Sequence, residues 1–399
     1  MKEASNSHKI LIVNNNLNTG GVQKSLVNLL NEIKDKYEIT LFLFSNSGQN
    51  VSSLPNKIRV IEAPPLLKLL GKTQDETKKM GILFYILRAI LVVYSKVFSN
   101  HLPIRLLIST QKTITGFDTA ISFLQNEDEH ILYGGCNEFV IYRTEAKQKI
   151  TFMHCDFSNY GGNTPKNRKI YKRFDKIAVV SENCKASLSN TLPRVSNKTI
   201  CVYNCQDYTD ILNRANIDTV HYPKDHLNIV TVARLSKEKG ILRGIDVIDR
   251  LVQKGYLINW HIVGDGKQKL IIMDKISQKE LTQNIYLHGN QENPYCYVKN
   301  ADALFLPSFH EAAPMVIDEA KILNVPIITT NTVSAYEMVL DGKEGFICEN
   351  SDSGLYEVLK QVLDYPHKLQ HCKEYMRNQV YTNSKALSQF QSLIEEGII

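Results

Sequence analysis

The stretch ADALFLPSFHEAAPMVIDEAKILNVPIITT, residues 301–330, decides the fold. Ala303 to Leu306 reads as a buried strand, Pro307 and Ser308 end it, Pro314 suits the first turn of a helix, and Val325 to Thr329 reads as the next strand. The result is a β-loop-α-β unit, whose loop lies at the carboxyl edge of a parallel sheet, where open α/β folds bind ligands. Glu311 falls in that loop and Glu319 lies eight positions later, inside the helix. The helix faces separate the two neighbouring acids. Asp318 has Lys321 three residues on and reads as half of a solvated ion pair. Glu319 has Met315, Val316, Ile322 and Leu323 as its i±3 and i±4 neighbours, which puts a carboxylate on the apolar side. Such burial is costly without a partner, so Glu319 is either a functional carboxylate or a core one bonded to a backbone amide.

The same alternation extends in both directions. Lys9 to Val13 is a strand, Gly20-Gly21 opens a helix with Val22, Leu26, Leu29, Leu30 and Ile33 on one side, and Ile39 to Phe44 is the next strand. The opening lacks both GxGxxG and the phosphate-loop lysine signature, which disfavours a dehydrogenase-type dinucleotide fold and a P-loop NTPase. Further strands are expected at Thr119–Phe123, Lys149–Met153, Lys176–Val180 and Thr199–Tyr203. The polar segment 206–227, with Tyr222-Pro223, reads as a linker, after which strands at Asn228–Ala233 and Ile258–Val263 begin a second β/α series. The expected fold class is therefore α/β, with two Rossmann-like doubly wound domains, residues 1–206 and 207–383, and a terminal helix in 384–399.

At 399 residues the chain has room for two such cores, and 43% hydrophobic with 22% charged residues is ordinary for a folded protein. The formal charge of +6 does not argue for nucleic acid as a partner. Eight cysteines are scattered without CxxC or zinc-ligand spacing, so reduced thiols and no metal are expected. MKEASNSHK has no apolar h-region, so no signal peptide is expected and the localisation reads as cytoplasmic. Residues 66–112 are strongly basic and contain GILFYILRAILVVYSKVF, with Arg88 in its middle. A charge there would cost about 2.5–3.5 kcal/mol at a bilayer centre, which disfavours a spanning helix. Two readings stay open: a helix lying peripherally on an anionic membrane surface, or one covering the sheet of its own domain.

ARLSKEKG gathers Arg234, Lys237 and Lys239 at the carboxyl end of a strand, just before a helix, where fixed cations and helix-start amides can hold phosphate oxygens. His154 directly follows a strand in ITFMHCDF; a lone histidine in such a place is more often structural than catalytic.

Together these ordered signals resemble the family 4 retaining glycosyltransferases, of the type that builds bacterial surface and capsular polysaccharides. Glu311 and Glu319 resemble the family's Glu-seven-Glu pair, Arg234 and Lys239 its Arg-x4-Lys-Gly signature, NNNLNTGGVQKSLVNLL its first glycine-rich loop, and His154-Cys155-Asp156 its H-x-D. VYNCQD is similar to the exit strand of the first domain, with Asn204 at the usual asparagine, and IYLHGNQENPYCYVKN to the segment where the nucleotide base rests. The resemblance implies a GT-B fold with the two domains facing a central cleft, and a terminal helix crossing back to the first domain. It implies transfer of a sugar from a nucleotide-diphosphate donor, expected to be a UDP-sugar, to a glycan or lipid-linked glycan, with no metal or other cofactor. It assigns Glu311, Lys239, Arg234 and His154 to catalysis, and Gly20, Gly21, Gly289, Asn290, Met315, Val316 and Glu319 to donor binding. Ala312 and Pro314 stand where the commoner version has glycines, and Pro314 has no N–H, so any amide contact there falls to Met315 or Val316. A nucleotide-sugar epimerase of the same fold and a non-catalytic partner subunit are the alternatives.

Overall fold

The computed structural model describes residues 8–217 and 220–395. The reading of the N-terminal stretch therefore falls almost wholly outside the described residues, as does the end of the 384–399 segment. Two compact units are present: Met1–Cys205 with Asn383–Ile399, and Gln206–Thr382. Gln206 thus falls in the second unit and Asn383 in the first.

The first unit is built on a seven-stranded sheet of order β3-β2-β1-β4-β5-β6-β7. Its strands are β1 (Lys9–Asn14), β2 (Glu38–Leu43), β3 (Arg59–Glu62), β4 (Ile114–Ser122), β5 (Thr144–Met153), β6 (Lys176–Val179) and β7 (Thr199–Cys201). All pair in parallel. Successive side chains of a strand point to opposite faces, so a sheet covered on both sides needs apolar residues throughout. KILIV meets that demand: Ile10 and Ile12 enter one core, and Leu11 and Val13 the core behind the sheet. The Ser384–Glu395 helix belongs to the first of these cores through Ala386, Phe390, Leu393 and Ile394.

The second unit has a six-stranded parallel sheet of order β10-β9-β8-β11-β12-β13. These strands are β8 (Leu227–Val232), β9 (Ile258–Val263), β10 (Ile285–Gly289), β11 (Ala303–Leu306), β12 (Ile327–Thr330) and β13 (Gly345–Cys348). Ile229, Trp260 and Phe305 pack on one face, Val230, Leu304 and Leu306 on the other. In each sheet the order reverses once, at β1/β4 and at β8/β11. The second reversal places the loop after β8 and the loop after β11 side by side at the carboxyl edge, the position where doubly wound sheets hold ligands. The fold is thus two Rossmann-like doubly wound α/β units.

Two local expectations need correction. The segment 206–227 is not simply a linker: Tyr208–Arg214 is helical, and Ile211 and Ala215 are core residues packed with Leu304, Leu306 and Ile317. Its polar composition hid two apolar positions four apart, enough to dock a two-turn helix. The strand expected from Val325 begins at Ile327, because Pro326 has no N–H to give to a neighbouring strand. Residues 66–112 form short helices and one long one, Ile82–Val97, whose Arg88 faces inward. Among the described residues no helix is long and apolar enough to cross a membrane.

Candidate functional site

The β8/β11 reversal brings together Lys239 and Glu311, two of the residues that the sequence singles out in the second unit. After β8, residues Lys237–Lys239 make one tight helical turn that ends at Gly240. Gly240 has φ +66°, and a Cβ there would lie 1.8 Å from the Pro307 carbonyl oxygen, so only glycine permits this approach of the two loops. The turn delivers Lys239 to Glu311: Nζ donates to Oε1 at 2.7 Å and to Oε2 at 2.8 Å. Both side chains are mostly withdrawn from water, at 19% and 8% exposure. An ammonium centred on both oxygens of a half-dry carboxylate is a strong, charge-assisted contact.

The loop that carries Glu311 is itself fastened. Ser308 Oγ donates to Glu311 Oε1 at 2.7 Å, and Thr330 Oγ1 to the Ser308 carbonyl at 2.6 Å. Arg243, from the helix Ile241–Val252, donates Nε to the Pro307 carbonyl at 2.7 Å and Nη2 to that of Ser308 at 2.6 Å. Its guanidinium also lies 3.8 Å from the Phe309 ring centroid. The planar fork thus pins three consecutive residues of the loop. Sequence reasoning missed Arg243, Ser308 and Thr330. A signal for Arg243 existed in its spacing, four residues after Lys239 and hence one helical turn away.

Arg234 is placed differently. Its side chain is 77% exposed and stands 3.9 Å from Glu238, a surface pair of small energetic weight. Lys237 is exposed. Glu319 is buried within the helix Met315–Ile322, on the apolar face. That helix begins at Pro314 without a side-chain cap, and the first amides of a helix, here those of Met315 and Val316, have no intrahelical acceptor. Gly289 closes β10 with φ +67°, its carbonyl accepting from Gly264 N–H at 2.7 Å, and Asn290 beyond it is exposed. With β9 between them, β10 and β8 are about 10 Å apart at the usual strand spacing.

The solvated Asp318–Lys321 pair does not form. Lys321 turns to Glu344 at 2.9 Å, a buried pair whose carboxylate also accepts from Tyr381 OH at 3.0 Å. Asp318 is left with Gln206 Nε2 at 3.5 Å. Part of Asp318 reaches solvent, yet loss of water raises its carboxyl from the ordinary range to about 6, with Lys321 opposing the rise.

In the first unit Gly20 is the extended residue that precedes the helix Gly21–Ile33. The same helix holds the end of the unit, through Ser25 Oγ to Asn204 Oδ1 at 2.7 Å and Asn28 Nδ2 to the Cys205 carbonyl at 2.9 Å. His154 follows β5 and packs against the rings of Phe123 and Phe152, at 4.8 and 5.8 Å between centroids. Its Nε2 is buried without a hydrogen-bond partner among the described residues. Burial lowers its pKa to about 4, with a bond to the Phe123 backbone opposing, so the imidazole is neutral near pH 7. Asp156, two residues on, accepts from Ser187 Oγ at 2.6 Å and Asn159 Nδ2 at 2.6 Å, which fixes the loop that follows His154. All eight cysteines are buried and free.

Residues 214–379 match the family described as glycosyl transferases group 1. The capsular polysaccharide biosynthesis glycosyltransferase CapM of Staphylococcus aureus is 33% identical over 130 residues, 32% of this chain and 34% of that protein. The O-antigen biosynthesis glycosyltransferase WclY of Escherichia coli is 26% identical over 165 residues, 41% of this chain and 45% of that protein. A glycosyltransferase of Methanocaldococcus jannaschii is 28% identical over 165 residues, 40% of this chain and 41% of that protein. The matched region thus spans between a third and a half of these relatives' lengths. Two solved structures follow nearly the whole chain. Anabaena HepE in complex with UDP-glucose has a TM-score of 0.65 at 15% identity, covering 97% of this chain and 98% of that one. A mutant of S. aureus TarM in complex with fondaparinux, α-GlcNAc-glycerol and UDP has a TM-score of 0.68 at 14% identity, covering 97% and 100%. The two-unit α/β fold is the GT-B fold.

Proposed function

We propose that this chain is a retaining glycosyltransferase that moves a sugar from a UDP-sugar to a hydroxyl of a growing or lipid-linked surface glycan, without a metal ion. The observation that carries the proposal is the Lys239–Glu311 pair, built by two loops at the sheet reversal of the unit that matches the group 1 family.

In this reading the bond between the anomeric carbon and the β-phosphate oxygen breaks, and its electron pair leaves with the phosphate. The acceptor oxygen bonds to the same face of the sugar, and its proton passes to the departing phosphate oxygen. Charge grows on that phosphate, so preorganised cations and amides are the main requirement. Lys239 supplies one cation. Arg234, tied only by a weak surface pair, is free to supply a second. The Met315 and Val316 amides add the positive end of a helix. Glu311 positions the sugar, and Glu319 holds the nucleotide ribose. Gly289 and Asn290, about two strand spacings from β8, suit the base of the same nucleotide. His154 is neutral near pH 7, so the role assigned to it is a hydrogen bond to the sugar, with Gly20 and Gly21 on the donor and acceptor side.

The test is donor hydrolysis with a panel of UDP- and GDP-sugars in EDTA, with the anomeric configuration of the product read by NMR. UDP release that depends on Lys239, with retained configuration, supports the proposal. An altered sugar nucleotide released without an acceptor indicates an epimerase. No turnover of any donor indicates a non-catalytic subunit.

A further inference from the structure

The face of the first unit formed by residues 64–112 takes no part in the reaction above, and two features of it are unexplained by folding. The first is the outer side of the helix Ile82–Val97. Ile82, Leu83, Ile86, Ile90, Val93 and Val97 are each between 48% and 78% exposed. At about 100° per residue they fall within an arc of about 100°. Phe98, Leu102 and Leu106 continue the apolar surface onto the next helix, at 66%, 48% and 54% exposure. Arg88, the charge at the centre of this helix, turns the other way and donates to the Leu69 carbonyl and to Gln74 Oε1, each at 3.2 Å. A contiguous apolar surface of this kind marks a binding face.

The second feature is a cavity of about 500 Å³ beside the start of that helix, lined by Lys68, Lys72 and Lys79 together with Glu62, Glu76, Met80 and Phe84. Lys68 is neutralised by Glu62 at 2.7 Å, while Glu76 accepts from the Thr73 N–H at 2.6 Å. Neither Lys72 nor Lys79 has an ion-pair partner among the described residues. Lys72 is within electrostatic reach of Glu62 and Glu76, so the three lysines and two carboxylates leave one net positive charge beside Met80 and Phe84, which suits a phosphate joined to an apolar tail. Residues 66–112 carry six net positive charges, as many as the whole chain, so the remainder of the chain sums to zero. Two such faces repel each other, which disfavours a second copy as the occupant.

We infer that this face docks on a bilayer containing anionic phospholipid, the apolar arc lying in the interface and a lipid phosphate seated between Lys72 and Lys79. The side chains that would carry the docking are those a helix in the interface plane requires, apolar below and basic at the headgroup level.

The test is co-sedimentation of the full chain with vesicles of phosphatidylcholine alone or with roughly a third phosphatidylglycerol. Binding to the anionic vesicles is expected to be at least about 25-fold tighter, since each of the two lysines near the surface contributes about fivefold. The exposed double variant I86E/I90E loses binding to both vesicle types, and K72Q/K79Q weakens anionic binding about 25-fold, with thermal unfolding unchanged in both. Equal binding by wild type and both variants overturns the inference. So does complete release by millimolar inorganic phosphate at constant ionic strength, which would indicate a site for free phosphate. Dimerisation in sedimentation velocity without vesicles, abolished by I86E/I90E, would assign the face to a second copy and also overturn it. None of these measurements passes through Lys239 or Glu311, so they fail or succeed independently of the donor reading.

Discussion

Neutralising Glu311 should tighten nucleotide binding while slowing turnover. In the absence of donor, Lys239 is fully engaged by Glu311, with bonds of 2.7 and 2.8 Å. At that distance and an effective dielectric of about 20 the gross attraction is about 6 kcal/mol, most of which is offset by the water both groups have lost. The net worth of such a charge-assisted contact is about 1.5–3 kcal/mol, against about 0.5–1.5 for a neutral hydrogen bond. Glu311→Gln keeps an acceptor for Ser308 and Lys239 but removes the charge, which frees about 1.4 kcal/mol of the lysine's attraction for the diphosphate, or about tenfold in Kd. Loss of a carboxylate from the neighbourhood of an anionic ligand acts in the same direction. Calorimetric titration with UDP should therefore show Glu311→Gln binding about tenfold tighter than wild type and Lys239→Met at least tenfold weaker. The double variant should be no tighter than Lys239→Met, because the gain acts through the lysine. Donor hydrolysis by Glu311→Gln should fall by about a hundredfold or more. Weaker or equal UDP binding by Glu311→Gln would refute the argument, since the pair would then be positioning the lysine and not competing for it.

Three other perturbations follow from the geometry. Asp318 binds a proton up to about pH 6 in the folded state but only to about 3.8 unfolded, so stability falls as pH rises between those values. Asp318→Asn should raise stability by up to about 3 kcal/mol at pH 7 and by nothing near pH 4, measured by denaturant unfolding at each pH. For His154 the unfolded chain takes up its proton near pH 6.5 and the folded one only near 4, so the native state loses about 3 kcal/mol as pH falls across that window. His154→Gln should flatten that slope, and an unchanged slope would show that another group causes it. Arg243→Met removes two bonds to buried carbonyls and should cost about 3 kcal/mol, seen as a fall of roughly 10 °C in the unfolding temperature. The same variant should weaken UDP binding although Arg243 is not expected to touch the nucleotide.

The doubly wound fold was legible because the strands are buried on both faces and therefore read as unbroken apolar runs, as KILIV and ALFL do. The sheet reversal at β8/β11 was not read from the sequence, because charged loops after two buried strands do not say which strands are neighbours. What the sequence could not reveal is direction. Asp318 and Lys321 stand at pairing distance along a helix, but Lys321 finds a better-enclosed carboxylate in Glu344, far away in sequence. Arg243 looks like an ordinary helical charge until Pro307 and Ser308 are seen to present their carbonyls to it. Arg88 likewise gave the Ile82–Val97 stretch a polar interruption on paper, whereas in space it turns inward and leaves Lys96 as the charge on the exposed side. Segment 206–227 was misjudged from composition, because Ile211 and Ala215, with Tyr208 packed beside them, dock its helix.

The placement of the Ser384–Glu395 helix has a consequence for biogenesis. Its Phe390 and Leu393 fill the same core as Ile10 and Ile12, so a sheet made before the second unit must wait for a helix made after it. During synthesis the nascent first unit keeps an open apolar slot while about 180 further residues emerge, a matter of roughly ten seconds or more at ordinary elongation rates. Chaperone dependence, and sensitivity to stop codons or bulky tags placed close to Phe390, should accordingly trace to that slot.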